Sequence, residues 1–313
     1  PRCCGSDEAG EEARRAAAHL GIPFYALDYA EVFGREVVDR FVGSYAMGET
    51  PNPCVACNAH VKFDALLGDA AAKFGARRLA TGHYARITEE KGRYRLRRAQ
   101  DAAKDQSYAL YMLGQRELAR ILFPVGELSG KDETRALAAR YGLPNAAKAE
   151  SMDICFAPRG HHDIVRARAP EAFVSGPVER TDGALVGEHA GIGSLTVGQR
   201  RGVGVATGER LYVLRLDLER NTVVVGTRDE VATRAYSLRD VRFTADRPPA
   251  DRFTTTVALR YRGMPLGCEV QIVADGAMVR LDEPALAAPG QAAVLYDGDE
   301  VIGGGTIRQA LAD

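Results

Sequence analysis

Apolar positions change period along the chain. Up to about residue 160 they recur at helical spacing, and from about Gly183 onward strand-like runs take over. Ser6 is placed to cap a helix through DEAGEEARRAAAHL, which stops at Gly21 with Pro23 beyond. The run IPFYAL then reads as a buried strand, and a second helix is expected from about Glu31 to Ala46, ending near Gly48. The stretch ETPNPCVAC follows, whose two prolines break regular helix, so Cys54 and Cys57 fall on a loop or at a helix entrance. Phe63, Leu66, Leu67, Ala70, Ala71 and Phe74 repeat at helical spacing until Gly75, and Arg78 to Thr81 reads as a strand running into Gly82 and His83. Strand, helix and strand in succession imply a parallel sheet, whose ligands sit at the carboxyl ends of the strands, where Gly82 and His83 fall. Further helices are expected at Gln106 to Leu113, Arg116 to Leu122 and Lys131 to Tyr141, the last closed by Gly142 with Pro144 after it.

The second half carries the runs LYVLRLD, TVVVGT, TTTVALRYR, CEVQIVA, AMVRLD, AAVLYD and VIGGGTI. Asp275-Gly276 and Asp297-Gly298 each sit between two of them, a hairpin signature. The C-terminal third is therefore expected to be an antiparallel barrel or small sandwich.

Composition adds bounds. With 313 residues, 46% hydrophobic and 27% charged, the chain can bury a sizeable core in two or three domains. No run is long and apolar enough to span a bilayer, and PRCCGSDEAG has no signal-peptide pattern, so a cytoplasmic location is expected. The net charge of −1 does not announce a nucleic-acid binder. Local charge says more: between Arg77 and Lys104 nine basic residues stand against three acidic ones, interleaved with Tyr84 and Tyr94. Such a cluster either follows a phosphate backbone or is a solvated strand face.

Six cysteines are too few for a disulfide scaffold, so pairs of them read as chemistry or metal binding. Cys54-x-x-Cys57 alone fits half a zinc site, a redox pair, cluster ligands or a nucleophile with a neighbour; a closed zinc site lacks its second pair, since Cys3 and Cys4 are adjacent and Cys155 and Cys268 isolated. Cys155, between Ile154 and Phe156, taken alone reads as packing. Lys104 to Tyr108 (KDQSY) puts a cation and hydrogen-bonding groups at a helix mouth, suited to phosphate or base recognition or equally to a plain cap. Gly198 to Gly202 (GQRRG) is a second basic turn or a simple surface turn.

Taken together, the stretches TPNPCVACN (residues 50–58), ATGHYAR (80–86), KDQSY (104–108), ICF around Cys155, GQRRGVGV (198–205), RYR (260–262) and GGGTI (303–307) resemble, in order, the tRNA 2-thiouridylase family. The resemblance implies an α/β pyrophosphatase-type N-terminal domain with a Rossmann-like parallel sheet, its first strand missing, over 1–160. It implies a central tRNA-binding domain over 161–233 and an antiparallel β-barrel over 234–313. It also implies ATP-dependent replacement of the C2 oxygen of the wobble uridine by sulfur, with magnesium accompanying the ATP. On this resemblance Cys57 is the nucleophile, Cys155 carries a persulfide and Gly82 contacts ATP. Asn52, Pro53 and Cys54 surround the target base, and His83, Lys104, Asp105, Gln106, Arg260, Tyr261 and Gln291 touch tRNA. The partners implied are the anticodon stem-loop and a sulfur-donor protein; a Cys57–Cys155 disulfide closes the turnover.

Family members carry a Ser-Gly-Gly-Val-Asp-Ser type phosphate loop that this sequence lacks, so as it stands the chain is expected to bind ATP poorly. Two alternatives remain open at this point. Cys54, Cys57 and Cys155 could hold an iron–sulfur cluster, which keeps the substrate and changes the sulfur chemistry. Alternatively, the chain is a non-catalytic tRNA-binding remnant, a reading that leaves both thiols without a purpose.

Overall fold

The computed structural model describes residues 7–147, 154–157 and 160–311; Ser6, Cys3 and Cys4 lie outside them. The first helix spans Asp7–His19 and is closed by Gly21 at φ +65°, as the sequence indicates. Residues 30–46 form one continuous helical rod ending at Gly48, φ +68°. A second rod begins at Pro53 and runs to Phe74, where Gly75 turns left-handed at φ +63°. The CxxC pair is thus at a helix entrance.

The IPFYAL segment is not a strand. Among the described residues no strand pairs with it, so its backbone has no ladder to join. Ile22 and Tyr25 are 55% and 62% exposed, and Tyr25 rests on Phe74 with ring centroids 4.6 Å apart. The parallel sheet consists of two short strands, β1 (Leu79–Ala80) and, once β2 (Ala85–Glu90) and β3 (Arg93–Arg98) have intervened, β4 (Ile121–Leu122). The helix expected through Leu122 is shorter, Gln115–Leu118, because Ile121 and Leu122 pair with Leu79 and Ala80 instead. The helix expected from Gln106 is a single 3-10 turn, Ser107–Leu110. Asp105 bonds the Ser107 amide (3.1 Å) and hydroxyl (2.9 Å), a side-chain turn that competes with helix. Lys131–Arg140 is helical, closed by Gly142 at φ +65°.

The central region is a four-stranded sheet of β5 (Gly176–Arg180), β6 (Leu185–His189), β7 (Tyr212–Asp217) and β8 (Thr222–Gly226), ordered β6-β5-β8-β7 around Val178, Leu195, Val213 and Val223. The C-terminal strands are β9 (Thr233–Phe243), β10 (Arg252–Ala258), β11 (Leu266–Val273), β12 (Gly276–Ala285), β13 (Ala292–Asp297) and β14 (Glu300–Leu311). Their order β13-β10-β11-β12-β9-β14, with β14 pairing back to β13, closes a barrel. Both hairpins expected from the sequence are present, β11–β12 and β13–β14. Tyr236, Val257, Val270, Val279, Leu295 and Ile307 fill the barrel core.

The barrel is not a separate bead. β3 adds to β14 through Arg97↔Glu300 and Leu96↔Val301, and β2 adds to β3, so a hairpin from the first half extends the barrel sheet. A second core joins Phe63, Leu67, Leu96, Leu110 and Phe123 to Val294, Tyr296 and Val301. This hairpin also absorbs most of the basic cluster. Arg93 and Arg95 bond Glu300, which is nearly buried, Arg97 bonds Glu90 (2.9 Å) and Asp299 (2.5 Å), and Arg86 bonds Asp299 (2.8 Å). Arg98 lies 3.9 Å over the Tyr296 ring. These arginines fasten the added hairpin to the barrel strands of the same sheet, so the solvated-face and phosphate-track readings both give way to internal pairing.

Candidate active site

The thiol-bearing rod is positioned from outside its own domain. Ahead of it, Thr50 donates its amide to the Pro289 carbonyl (2.8 Å), and its carbonyl accepts from Gln291 Nε2 (2.7 Å). Thr50 Oγ1 meets Thr196 Oγ1 of the central region at 3.0 Å. Glu49 is held by both guanidinium nitrogens of Arg239 on β9, each at 2.7 Å. Four contacts thus fix a short loop against two other parts of the molecule. Gly290 makes the approach possible: at φ +87°, a Cβ there would lie 2.9 Å from both Glu49 Cβ and Thr50 N.

That loop delivers Asn52, whose side chain accepts from the Cys54 amide (3.1 Å) as an N-cap, while Pro53 takes the first helical position, buried. Cys54 is exposed in the first turn and Cys57, three residues on, is half-buried. Desolvation pushes the Cys54 thiol up, partly opposed by the Lys62 ammonium. From Cys57 to Leu66 the rod is wound as π-helix, a rare winding often found at functional sites. Asn58, 2% exposed, donates to the Ala109 carbonyl (2.9 Å), tying the rod to the turn that follows KDQSY.

Across from this rod, β1 ends at Ala80 and the chain runs on into Gly82 and His83. A Cβ on Gly82 would meet nothing within 4 Å, so the space above it is open. His83 is only 9% exposed, wedged between the rings of Phe63 and Phe123, and is held between Thr81 Oγ1 (2.7 Å, at Nδ1) and Lys62 Nζ (3.4 Å, at Nε2). Burial, with Lys62 adding to it, lowers its pKa to about 3, so the imidazole is neutral: Lys62 donates to Nε2, and Nδ1–H donates to Thr81.

The KDQ segment sits beside the same strand end. Gln106 exchanges bonds with the Tyr84 backbone, N to O at 2.8 Å and Oε1 from N at 2.9 Å, and Asp105 also caps Ala99 (3.0 Å). Lys104 is half-buried. The barrel turn bearing Arg260 and Tyr261 reaches this segment: Tyr261 packs on Tyr108 with ring centroids 6.0 Å apart, and Arg262 extends to the Ala103 carbonyl (3.4 Å). The structure therefore brings Asn52, Pro53, Cys54, Cys57, Gly82, His83, Lys104, Asp105, Gln106 and Tyr261 into one connected neighbourhood, with Gln291 behind the loop.

Cys155 is half-buried. Its neighbours Ile154 and Phe156 join the cluster of Phe41, Val42 and Tyr45, with Phe156 5.1 Å from Phe41 and 5.7 Å from Phe33 in T-shaped contact. The rod 30–46, which also packs against the thiol-bearing rod, is the wall both cysteine segments share. Between this rod, the thiol-bearing rod and the barrel opens a cleft of about 1060 Å³, lined by Asn52, Pro53, His60, Arg40, Arg116 and Arg239 but by none of the cysteines.

Among the described residues no group of three or more His, Cys, Asp or Glu is gathered as metal ligands. Cys54, Cys57 and Cys155 are thus not gathered into a cluster site. The sequence reading missed Lys62, Asn58, Thr50 with its anchors, and Arg239. Lys62 and Asn58 stand within a few residues of Cys57 and were legible as neighbours on one helix; Arg239 lies 190 positions from Glu49 and gives no local signal.

The fold and this site define a multi-part protein in which a thiol-bearing α/β region is clamped to a β-barrel. The description "tRNA methyl transferase HUP domain" matches residues 1–159, "tRNA methyl transferase PRC-barrel domain" residues 162–227 and "Aminomethyltransferase beta-barrel domain" residues 233–307. The chain is 47% identical over 311 residues to the tRNA-specific 2-thiouridylase MnmA of Chloroflexus aggregans, covering 98% of this chain and 86% of that protein. It is 46% identical to the protein of that name from Moorella thermoacetica, with the same coverage. It is 43% identical to that of Acidithiobacillus ferrooxidans, covering 98% and 88%. The chain belongs to the tRNA-specific 2-thiouridylase family. No helix among the described residues is long and apolar enough to cross a membrane.

Proposed function

We propose that this chain is a cytoplasmic tRNA-uridine 2-sulfurtransferase that uses ATP to activate the C2 oxygen of the wobble uridine and two cysteines to replace it with sulfur. The observation that carries this reading is the thiol pair Cys54 and Cys57 at a helix entrance, fastened by Thr50, Gln291 and Arg239 beside the open strand end at Gly82. The family descriptions speak of methyl transfer and the relatives' names of thiolation; the thiolation reading gives Cys57 and Cys155 each a task.

A uridine carbonyl oxygen is a poor leaving group. Attack of O2 on the α-phosphorus of ATP forms an O–P bond as pyrophosphate departs with the electron pair of the broken P–O bond. The N3 proton passes to solvent. The terminal sulfur of a persulfide on Cys155 then attacks C2 and AMP leaves with its oxygen. Cys57 thiolate next attacks Cys155 Sγ, breaking the persulfide S–S bond. The sulfur stays on the base, N3 takes a proton back from solvent, and a Cys57–Cys155 disulfide remains, to be reduced before the next turnover. A donor protein reloads Cys155.

In this reading Asn52, Pro53 and Cys54 line the base pocket, Gly82 lets the nucleotide approach the backbone, and His83 and Gln291 hold the walls. Lys104 to Gln106, Arg260 and Tyr261 receive an anticodon loop, whose single-stranded bases splay into protein pockets at modest cost. The test is nucleoside mass spectrometry of tRNA after incubation with a sulfur source and ATP at concentrations high enough to fill a nucleotide site that lacks its phosphate loop. Wild type yields 2-thiouridine, and Cys57→Ser and Cys155→Ser yield none while melting as wild type does. Thiolation by either variant overturns the two-cysteine assignment.

A further inference from the structure

Lys62 is the group in this neighbourhood that the family reading leaves without a task. It projects from the π-wound part of the thiol-bearing rod, half-buried, to within 3.4 Å of His83 Nε2. It forms no ion pair with any described residue, although its surroundings are partly desolvated. An ammonium in such a place is normally matched by a carboxylate. Here the partner is an imidazole, which Thr81 holds from its other nitrogen at 2.7 Å.

The choice of partner has a consequence. A carboxylate would orient Lys62 and cancel its charge, whereas a neutral imidazole accepts one ammonium hydrogen and cancels nothing. Lys62 is thereby fixed in direction while its positive charge and two N–H donors remain for something else. Two features are linked to this charge. The thiol of the exposed Cys54 feels Lys62 electrostatically. Gly82, next in sequence to His83, has nothing within 4 Å of where its Cβ would be. Resting on the functional reading above, these are the base pocket and the nucleotide side.

We propose that Lys62 is a catalytic residue that binds the α-phosphate of ATP as it is transferred to the uridine O2 and, in the following step, the phosphate of the departing AMP. In the first step the O2–Pα bond forms while the Pα–O bond to pyrophosphate breaks, and negative charge grows on the non-bridging oxygens that Lys62 faces. In the second, the C2–S bond forms while the C2–O bond breaks, and the electron pair leaves on AMP next to the same ammonium. Lys62 keeps its proton throughout. His83 is its positioning residue, holding the ammonium without neutralising it. Charge placed in advance where charge develops is worth roughly a hundred- to a thousand-fold in rate.

The test measures tRNA-dependent pyrophosphate release separately from 2-thiouridine formation, using the full chain, an unmodified tRNA transcript and ATP. Leaving out the sulfur source should keep pyrophosphate release and lose thiolation, which isolates the first step. Lys62→Met should lower pyrophosphate release about a hundred-fold or more, with the Kd for tRNA changed less than twofold, and Lys62→Arg should recover part of the loss. His83→Asp, which supplies the cancelling carboxylate, should also lower it, and His83→Gln less so. Should Lys62→Met fail to fold, Lys62→Gln and the His83 pair carry the same comparison. Wild-type pyrophosphate release by a folded Lys62→Met or Lys62→Gln overturns the assignment and leaves the functional reading intact. A wild-type chain that releases no pyrophosphate with tRNA and ATP overturns the functional reading itself, and this proposal with it.

Discussion

Gly290→Ala is the sharpest probe of how the thiol-bearing rod is held. Gly290 has φ +87°, and an added Cβ would stand 2.9 Å from Glu49 Cβ, 2.9 Å from Thr50 N and 3.1 Å from Thr50 C. Two costs follow. An L-residue at that φ loses about 1 kcal/mol relative to glycine. The contacts with Thr50 are to backbone, which has no rotamer to retreat into, so relief requires moving the loop at a cost of roughly 1–3 kcal/mol. Gly298→Ala separates the two, because Gly298 has φ +60° with nothing within 4 Å of its would-be Cβ. The two variants share the backbone cost, and only Gly290→Ala carries the collision. Urea denaturation should therefore find Gly290→Ala less stable than Gly298→Ala by about 1–3 kcal/mol. Thiolation should fall in Gly290→Ala beyond what the lost stability explains, since the displaced Thr50 lies two residues from the Asn52 cap. Equal stability and equal activity in the two variants would refute the claim that the barrel presses the loop into place.

Three further outcomes are expected. His83 and His161, lowered to about 3 and about 4 chiefly by burial, are neutral in the fold, while the unfolded chain takes up their protons below its ordinary value of 6.5. Stability is thus full above pH 6.5 and falls as pH drops toward 3, by at most about 1.4 kcal/mol per pH unit per histidine; His83→Gln should flatten the urea midpoint against pH, and an unchanged slope contradicts this. Glu300→Ala leaves Arg93 and Arg95 without their shared carboxylate, whose side chain is 8% exposed, and should cost about 2–4 kcal/mol in the same denaturation assay; a loss under about 0.5 kcal/mol would mean the β3–β14 junction does not depend on it. Gln291→Glu sets a carboxylate oxygen against the Thr50 carbonyl in place of the 2.7 Å hydrogen bond, and should lower thiolation severalfold; full activity would show that the loop needs no tether there.

Four helix stops were legible because they rest on local chemistry: Gly21, Gly48, Gly75 and Gly142 each turn at positive φ where the apolar period ends. The barrel hairpins were legible for the same reason. What sequence could not supply was pairing. IPFYAL has the composition of a strand, but composition creates no neighbour to receive its hydrogen bonds, whereas Ile121 and Leu122, which read as helix, are strand because Leu79 and Ala80 lie beside them. The basic cluster misled similarly: its partners Asp299 and Glu300 are some 200 positions away, and only the β3–β14 junction turns a phosphate-like track into a set of ion pairs. In the site, Cys54, Cys57 and Cys155 were visible as residues, but the loop anchors at Thr196, Arg239 and Pro289 come from other strands and turns. Lys62 acquires meaning only once His83 is seen to be its partner.

The proposed sulfur transfer requires Cys57 and Cys155 to meet during turnover. The direct measurement is peptide mapping of the chain by mass spectrometry after a single turnover with persulfidated protein, ATP and tRNA in the absence of reductant. One disulfide-linked peptide pair joining Cys57 to Cys155 should appear for each 2-thiouridine formed, and ATP omission should prevent both. Formation of 2-thiouridine with Cys57 and Cys155 still unlinked, or linked to other cysteines, would contradict it.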